Sequence, residues 1–337
     1  MTQKHFSQFP LFLFLVALGL SNTSILDAQS VKPKSQKKSK SENVKTQFLR
    51  VVNDRNGDPL CMQTAITRYR PKQGALVVDL IGAVHVGEGD YYEQLNRQFE
   101  VYDVVLYELV APAGTRVPAG GSRARASRGP LDLVAWMQSQ TKSSLGLESQ
   151  LEKINYQKSN LLHADMSPAD ISKKMAERGD SAVTIGLSAM SEILRQQNMT
   201  AQSAENQEMI NEFANEGIFE LLNNPLKLKR MMAGQFANAG AMEIGLGPTL
   251  NQLLITDRNE AAVKVLQNEI AAGTKKIAIF YGAAHMPDFE QQLTADFGLD
   301  KTKQVWIDAW DLTKAGTKKS NNSPTDLMFR LLNQLGK

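Results

Sequence analysis

Three short runs in this chain are apolar almost from end to end: ALVVDLI at Ala75–Ile81, DVVLYELV at Asp103–Val110 and KIAIFY at Lys276–Tyr281. A strand made from such a run has no wet face, so both of its sides must be covered. Sheets covered on both sides are mostly parallel, because parallel neighbours are joined by crossovers and the crossovers are helices. The intervening text supplies them. Glu88–Glu100 carries Tyr91, Leu95 and Phe99 at helical spacing, Pro248–Ala272 is one long helix, and Pro287–Phe297 is another. Gln304–Trp310 adds a strand. Ahead of them, QFLRVV, a turn at Asp54–Asp58 and CMQTAITRYR form a hairpin. The expected fold class is α/β, with a mainly parallel sheet core. A mostly helical pattern between Leu131 and about Met232, broken by LLHADMSPAD, is a helical insertion at about 130–247. Ser167 and Pro168 occupy the N-cap and first position of a helix within it.

The chain has 337 residues and a formal charge of +3, unevenly spread. Six lysines against Glu42 place +5 in Ser30–Thr46, so the excess belongs to a tail and no nucleic-acid partner follows from it. That stretch, residues 29–46, has nothing to bury and is a solvated tether. Before it, Lys4 and the apolar run Pro10–Leu20 have the form of a signal peptide over 1–28, with cleavage after Ala28. The run is shorter than the ~20 residues a membrane span needs. The expected location is secreted or periplasmic, with no stable membrane insertion after cleavage; an uncleaved anchor is the alternative. A single cysteine, Cys61, forms no internal disulfide and is placed in the core on an early strand. Residues 47–337 are expected to form one domain, with Pro112–Pro130 a Gly-, Ser- and Arg-rich loop and Thr325–Leu335 a terminal amphipathic helix.

Two of the four histidines stand in the same context, a buried strand followed by Gly-x-x-His: Gly82–His85 and Gly282–His285. In open α/β sheets ligands bind beyond the carboxyl ends of the strands, and glycine there permits positive φ and close backbone approach. If the two strands are neighbours, His85 and His285 enter one crevice and Glu108, at the end of its strand, is a third member. Two imidazoles and a carboxylate form a ligand set for a catalytic metal. Hydrogen-bonded loop histidines and a structural ion pair for Glu108 are the alternatives. Arg258 lies in the apolar stripe Leu250, Leu254, Ala261 and Val265, so it pairs with a carboxylate, binds an anion, or makes a local pair with Asp257. His163 and Asp165 are weaker candidates, with His163 structural. Counting 23 residues on from His85 and His285 lands on Glu108 and Asp308, an echo that suggests duplication.

IGAVH followed by VVLYELV, a helix carrying TDRNEA, and IFYGAAH followed by an aliphatic strand resemble the TraB/PrgY/GumN family, which includes the Tiki proteases. The resemblance covers roughly Ala75–Asp308 and is looser through the helical middle. It implies a core related to the erythromycin esterase and ChaN-like fold, and metal-dependent hydrolysis of peptide bonds. By that resemblance His85, Glu108 and His285 are site positions and metal ligands, and Arg258 belongs to the Arg-Asn pair of the helix. Asp257 stands where the family commonly has Glu, and Ala83 where it often has Thr.

The expected function is therefore that of an exported hydrolase acting on a peptide or protein substrate. His85 and His285 hold a divalent ion (Mn, Co or Zn) or one serves as general base, Glu108 is ligand or base, and Arg258 orients Glu108 or faces the oxyanion. A peptide-sequestering protein without turnover and a metal-independent esterase are the alternatives.

Overall fold

The computed structural model describes residues 46–112, 145–181, 224–238 and 251–315, with positions 114, 115, 117, 118, 120, 184 and 191 between them. The signal segment, the tether up to residue 45, most of the Gly/Arg loop, much of the helical middle and the terminal helix lie outside the described residues. No helix among the described residues is long and apolar enough to cross a membrane.

The hairpin forms as expected. Strands β1 (Leu49–Asn53) and β2 (Pro59–Pro71) pair antiparallel around a turn in which Asp54 Oδ1 accepts from the N–H groups of Asn56 and Asp58. Gly57 takes the positive φ that closes it. The apolar runs become β3 (Val77–Ala83), β5 (Val104–Tyr107) and β8 (Lys276–Gly282), and a short strand β7 (Leu161–His163) joins them. These four lie parallel in the order β3-β8-β5-β7. Strand β9 (Leu299–Asp311) pairs with the other side of β2. Among the described residues this is a mixed seven-stranded sheet in which only β2 runs against the rest. Two short strands, β4 (Val86–Gly87) and β6 (Glu148–Ser149), make a separate ribbon beside it.

Alternation along the strands sends their side chains to two cores. Leu80, Ile279 and Leu106 stand level with one another on one face, Ile81, Phe280 and Tyr107 on the other. The first face is covered by α5 (Asp257–Ala271) and α6 (Met286–Ala295), through Ala262, Val263, Leu266, Phe289 and Leu293. The second is covered by α1 (Gly89–Gln98) and α4 (Pro225–Asn238), through Tyr91, Tyr92, Leu95, Leu228 and Met232. The remaining described helices are α2 (Gln150–Lys153) and α3 (Pro168–Arg178). The charge in the middle of β3, Asp79, is buried because Arg68 grips it with two nitrogens, at 2.9 and 2.7 Å, and Tyr102 Oη donates to it at 2.6 Å.

Three expectations change. The buried face of α5 is Arg258, Asn259, Ala262, Val263 and Leu266, one residue round from the anticipated stripe, and the helix is preceded by a π-helical stretch, Gln252–Thr256. Cys61 is half-buried rather than core, its Sγ 3.3 Å from Asp308 Oδ1. The Glu108/Asp308 echo fails in space, since Asp308 is exposed on β9, which pairs antiparallel with β2 and has no place beside the central strands.

Candidate functional site

Four neighbouring parallel strands deliver the candidate residues from their carboxyl ends: His85 after β3, Gly282 as the last residue of β8 and His285 beyond it, Glu108 directly after β5, and Asp165 two residues after β7. Tyr107 faces the α1/α4 core, so Glu108 turns to the other face, where α5 carries Arg258 and Asn259. Glu108 Oε1 accepts from Arg258 Nη2 at 2.6 Å and Oε2 accepts from the Gly282 N–H at 2.7 Å. Arg258 also reaches Asp165 with two nitrogens, Nε to Oδ1 at 3.0 Å and Nη2 to Oδ2 at 2.6 Å, and donates from Nη1 to the Leu254 carbonyl at 3.3 Å. Four of its five N–H donors go to these acceptors, so Arg258 holds Glu108 in place. It does not pair with Asp257, which is taken by Arg178 and Lys174.

Gly282 is where the parts converge. A Cβ built there would stand 3.4 Å from Glu108 Oε2, 3.6 Å from His285 Cδ2 and 3.6 Å from His85 Nε2. Its φ is −51°, so glycine is not needed there for a left-handed backbone, and a Cβ would meet these side chains at ordinary contact distances. Gly82, likewise outside positive φ, sits against Met286, Ala65 and Ala283, where it serves packing. Parallel pairing puts Ala83 opposite Gly282, and this register brings the two Gly-x-x-His turns together.

Each histidine is held through its Nδ1 by a carboxamide. His285 Nδ1 lies 2.6 Å from Asn259 Oδ1, and His85 Nδ1 lies 3.2 Å from Gln150 Oε1. An amide oxygen only accepts, so in this arrangement each Nδ1 donates its proton, and the neutral His285 ring keeps a lone pair on Nε2. His285 Nε2 is 3.6 Å from Glu108 Oε1. His285, Glu108, Arg258, Asn259 and Gln150 are buried and His85 is half-exposed, so the site opens on the His85 side.

The electrostatics keep these groups in defined states. Burial pushes His285 down to about 3, Arg258 and His85 add to it, and Glu108 opposes, so the imidazole is neutral at pH 7. Burial alone would raise Glu108, but the charge of Arg258, the two imidazoles and the Gly282 N–H outweigh it and hold the carboxyl well below the usual range. Burial raises Asp165, with Arg258 opposing. Burial would lower Arg258, but Glu108 and Asp165 hold its pKa above the ordinary value.

The structure thus brings together His85, Glu108, Arg258 and His285. Asp165, which looked peripheral, is part of the same network. His163 is separate: its Nε2 bonds the Leu109 carbonyl at 2.6 Å. Gln150 and Asn259 were missed, because amides carry no signature of their own; the only hint was that Asn259 follows Arg258. Gln150 and β7 lie within the span expected to be an insertion, yet one serves the site and the other belongs to the main sheet.

Among the described residues, no group of three or more His, Cys, Asp or Glu side chains has the arrangement of a metal cluster. The donors that suit a divalent ion are the two Nε2 lone pairs at the Gly282 cradle, with Glu108 beside them and already hydrogen-bonded through both oxygens. Comparison with protein-family models, curated proteins and solved structures finds no match for the chain.

Proposed function

We propose that the chain is an exported, metal-assisted hydrolase of peptide bonds, of the TraB/PrgY/GumN type with an erythromycin esterase/ChaN-like core. The observation that carries this reading is the convergence of two imidazoles and a carboxylate on the side-chain-free Gly282, at the carboxyl edge of the parallel strands. The choice of peptide bonds and of export rests on the motif resemblance and on the N-terminal apolar run.

His85 and His285 would hold the ion through Nε2. A divalent cation there would polarise a carbonyl and lower the pKa of a water. The electrostatics favour this over His285 acting as free base. A general base works best with a pKa near the working pH. His285, at about 3, stores no proton at pH 7, and Glu108 is held down as well. An unprotonated imidazole at His285 and an ionised carboxylate at Glu108 are, by contrast, the states that metal binding demands. Glu108, Asp165 and Arg258 together carry one net negative charge, which suits a cation. Glu108 orients water or completes the ligand set through its remaining lone pairs. Arg258, braced by Asp165, fixes the Glu108 carboxylate.

The test is elemental analysis of the mature protein and of a His85→Ala/His285→Ala double variant after each is offered Mn, Co or Zn. About one equivalent bound by wild type and lost in the variant is expected, followed by cleavage in a peptide library. Equal metal content in the two proteins overturns the metal-assisted reading. Peptide binding without turnover would leave a sequestering protein.

A further inference from the structure

The two site histidines are gripped in the same unusual way from opposite faces of the sheet. Gln150 takes the His85 ring at Nδ1 with its side-chain oxygen, and its main-chain N–H donates to the His85 carbonyl at 2.9 Å. Asn259 takes the His285 ring at Nδ1, and its Nδ2 donates to the His285 carbonyl at 3.1 Å. One residue therefore fixes both the backbone and the ring of each histidine. The orientation of the Asn259 amide is forced by a further partner: Nδ2 also donates to Asp288 Oδ2 at 2.7 Å, a carboxylate that only accepts, so only Oδ1 is left for His285. Gln150 Nε2 donates to Tyr156 Oη at 3.0 Å while Oε1 is turned to His85. Both amides are buried, at 3% exposure for Gln150 and 0% for Asn259, so water does not substitute for them.

We propose that Gln150 and Asn259 are a matched pair of positioning residues that lock His85 and His285 in the Nδ1–H tautomer and present both Nε2 atoms to the Gly282 cradle. The His85 clamp is the first residue of α2, between the two motif-bearing halves of the chain, so that segment is part of the site.

The role assigned to the clamp rests on the hydrolase reading, but its test does not. Long-range proton–nitrogen NMR on the full chain, dialysed against chelator, reports the tautomer of each of the four histidines, with the site pair assigned from single histidine substitutions. Both are expected in the Nδ1–H form. Gln150→Met frees His85 to average between tautomers and leaves His285 unchanged, and Asn259→Leu does the reverse. Gln150→Glu and Asn259→Asp keep the acceptor and restore the Nδ1–H form. In parallel, Zn2+ alone is expected to bind about 10–100-fold more weakly to Gln150→Met than to wild type, with Gln150→Glu closer to wild type. An Nε2–H tautomer at either histidine of the wild type, or an unchanged His85 in Gln150→Met, overturns the proposal; these two arms decide it even if Asn259→Leu does not fold. Tautomers that move as stated in a protein that binds no Zn2+ would uphold the clamp and remove the metal from the function.

Discussion

At Gly282 a single missing carbon separates a working site from a filled one. The Cβ of alanine would lie at ordinary contact distances from Glu108, His285 and His85, and the backbone there is in a region any residue adopts. Gly282→Ala should therefore fold, with stability within about 1 kcal/mol of wild type in urea melts, while zinc binding and hydrolysis are lost because the methyl occupies the point of convergence. An equally large loss of stability would show instead that the glycine serves packing. Cys61 gives a second residue-scale test. Burial, then the Asp308 hydrogen bond and charge, push its thiol up to about 11, against the usual value near 9. A raised thiol pKa means less thiolate at a given pH, so alkylation at pH 8 should be slow and should rise towards pH 11. Asp308→Asn removes the charge and should speed alkylation at pH 8; an unchanged rate would assign the shift to burial alone.

Among the elements, α4 and the His85-bearing segment are tied by a lysine with no exposure at all. Lys229 Nζ meets Glu88 Oε1 at 2.6 Å, three residues beyond His85. The same segment is anchored from β9, where Ala309 is an extra residue in the pairing with β2. Its turned-out carbonyl accepts the Glu88 N–H, while Trp310 Nε1 donates to the Val86 carbonyl at 2.7 Å. Removing one partner of a buried pair leaves the other charge stranded, so Glu88→Ala should cost about 3 kcal/mol in chemical denaturation. Lys229→Met should cost clearly less, because Glu88 still reaches water; equal costs would contradict this account. Elements of this kind divide into what sequence shows and what it hides. The apolar runs at β3, β5 and β8 were legible because covering both faces dictates their composition, and the Ser167 cap because its serine, proline and Asp170 are local. Neither the Lys229–Glu88 tie nor the Ala309 bulge was legible, since each depends on partners more than 100 residues away. The α5 stripe was misjudged because a functional arginine and asparagine sit on the face that an apolar count assigns elsewhere.

For the whole molecule, the site is only as stable as the two-faced core beneath it. Ile279 sits fully buried between Leu80 and Leu106 in the middle strand, and Ile279→Ala should cost about 2–5 kcal/mol of global stability, read as a lower urea midpoint with an unchanged slope. Unfolding of only part of the molecule at that midpoint would show that the two cores are independent. The placement of β8 has a consequence for how the chain assembles the His85, Glu108, Arg258 and His285 cluster. Strands β3 and β5 are synthesised early and close together, but they are not neighbours; the gap between them is filled by a strand that begins at Lys276. The central pairings are thus closures of long loops, which are entropically costly and slow. A growing chain that has made His85, Glu108 and even Arg258 still has no sheet edge on which to assemble them. The cluster is completed late and all at once, so a partly made or partly unfolded copy lacks it.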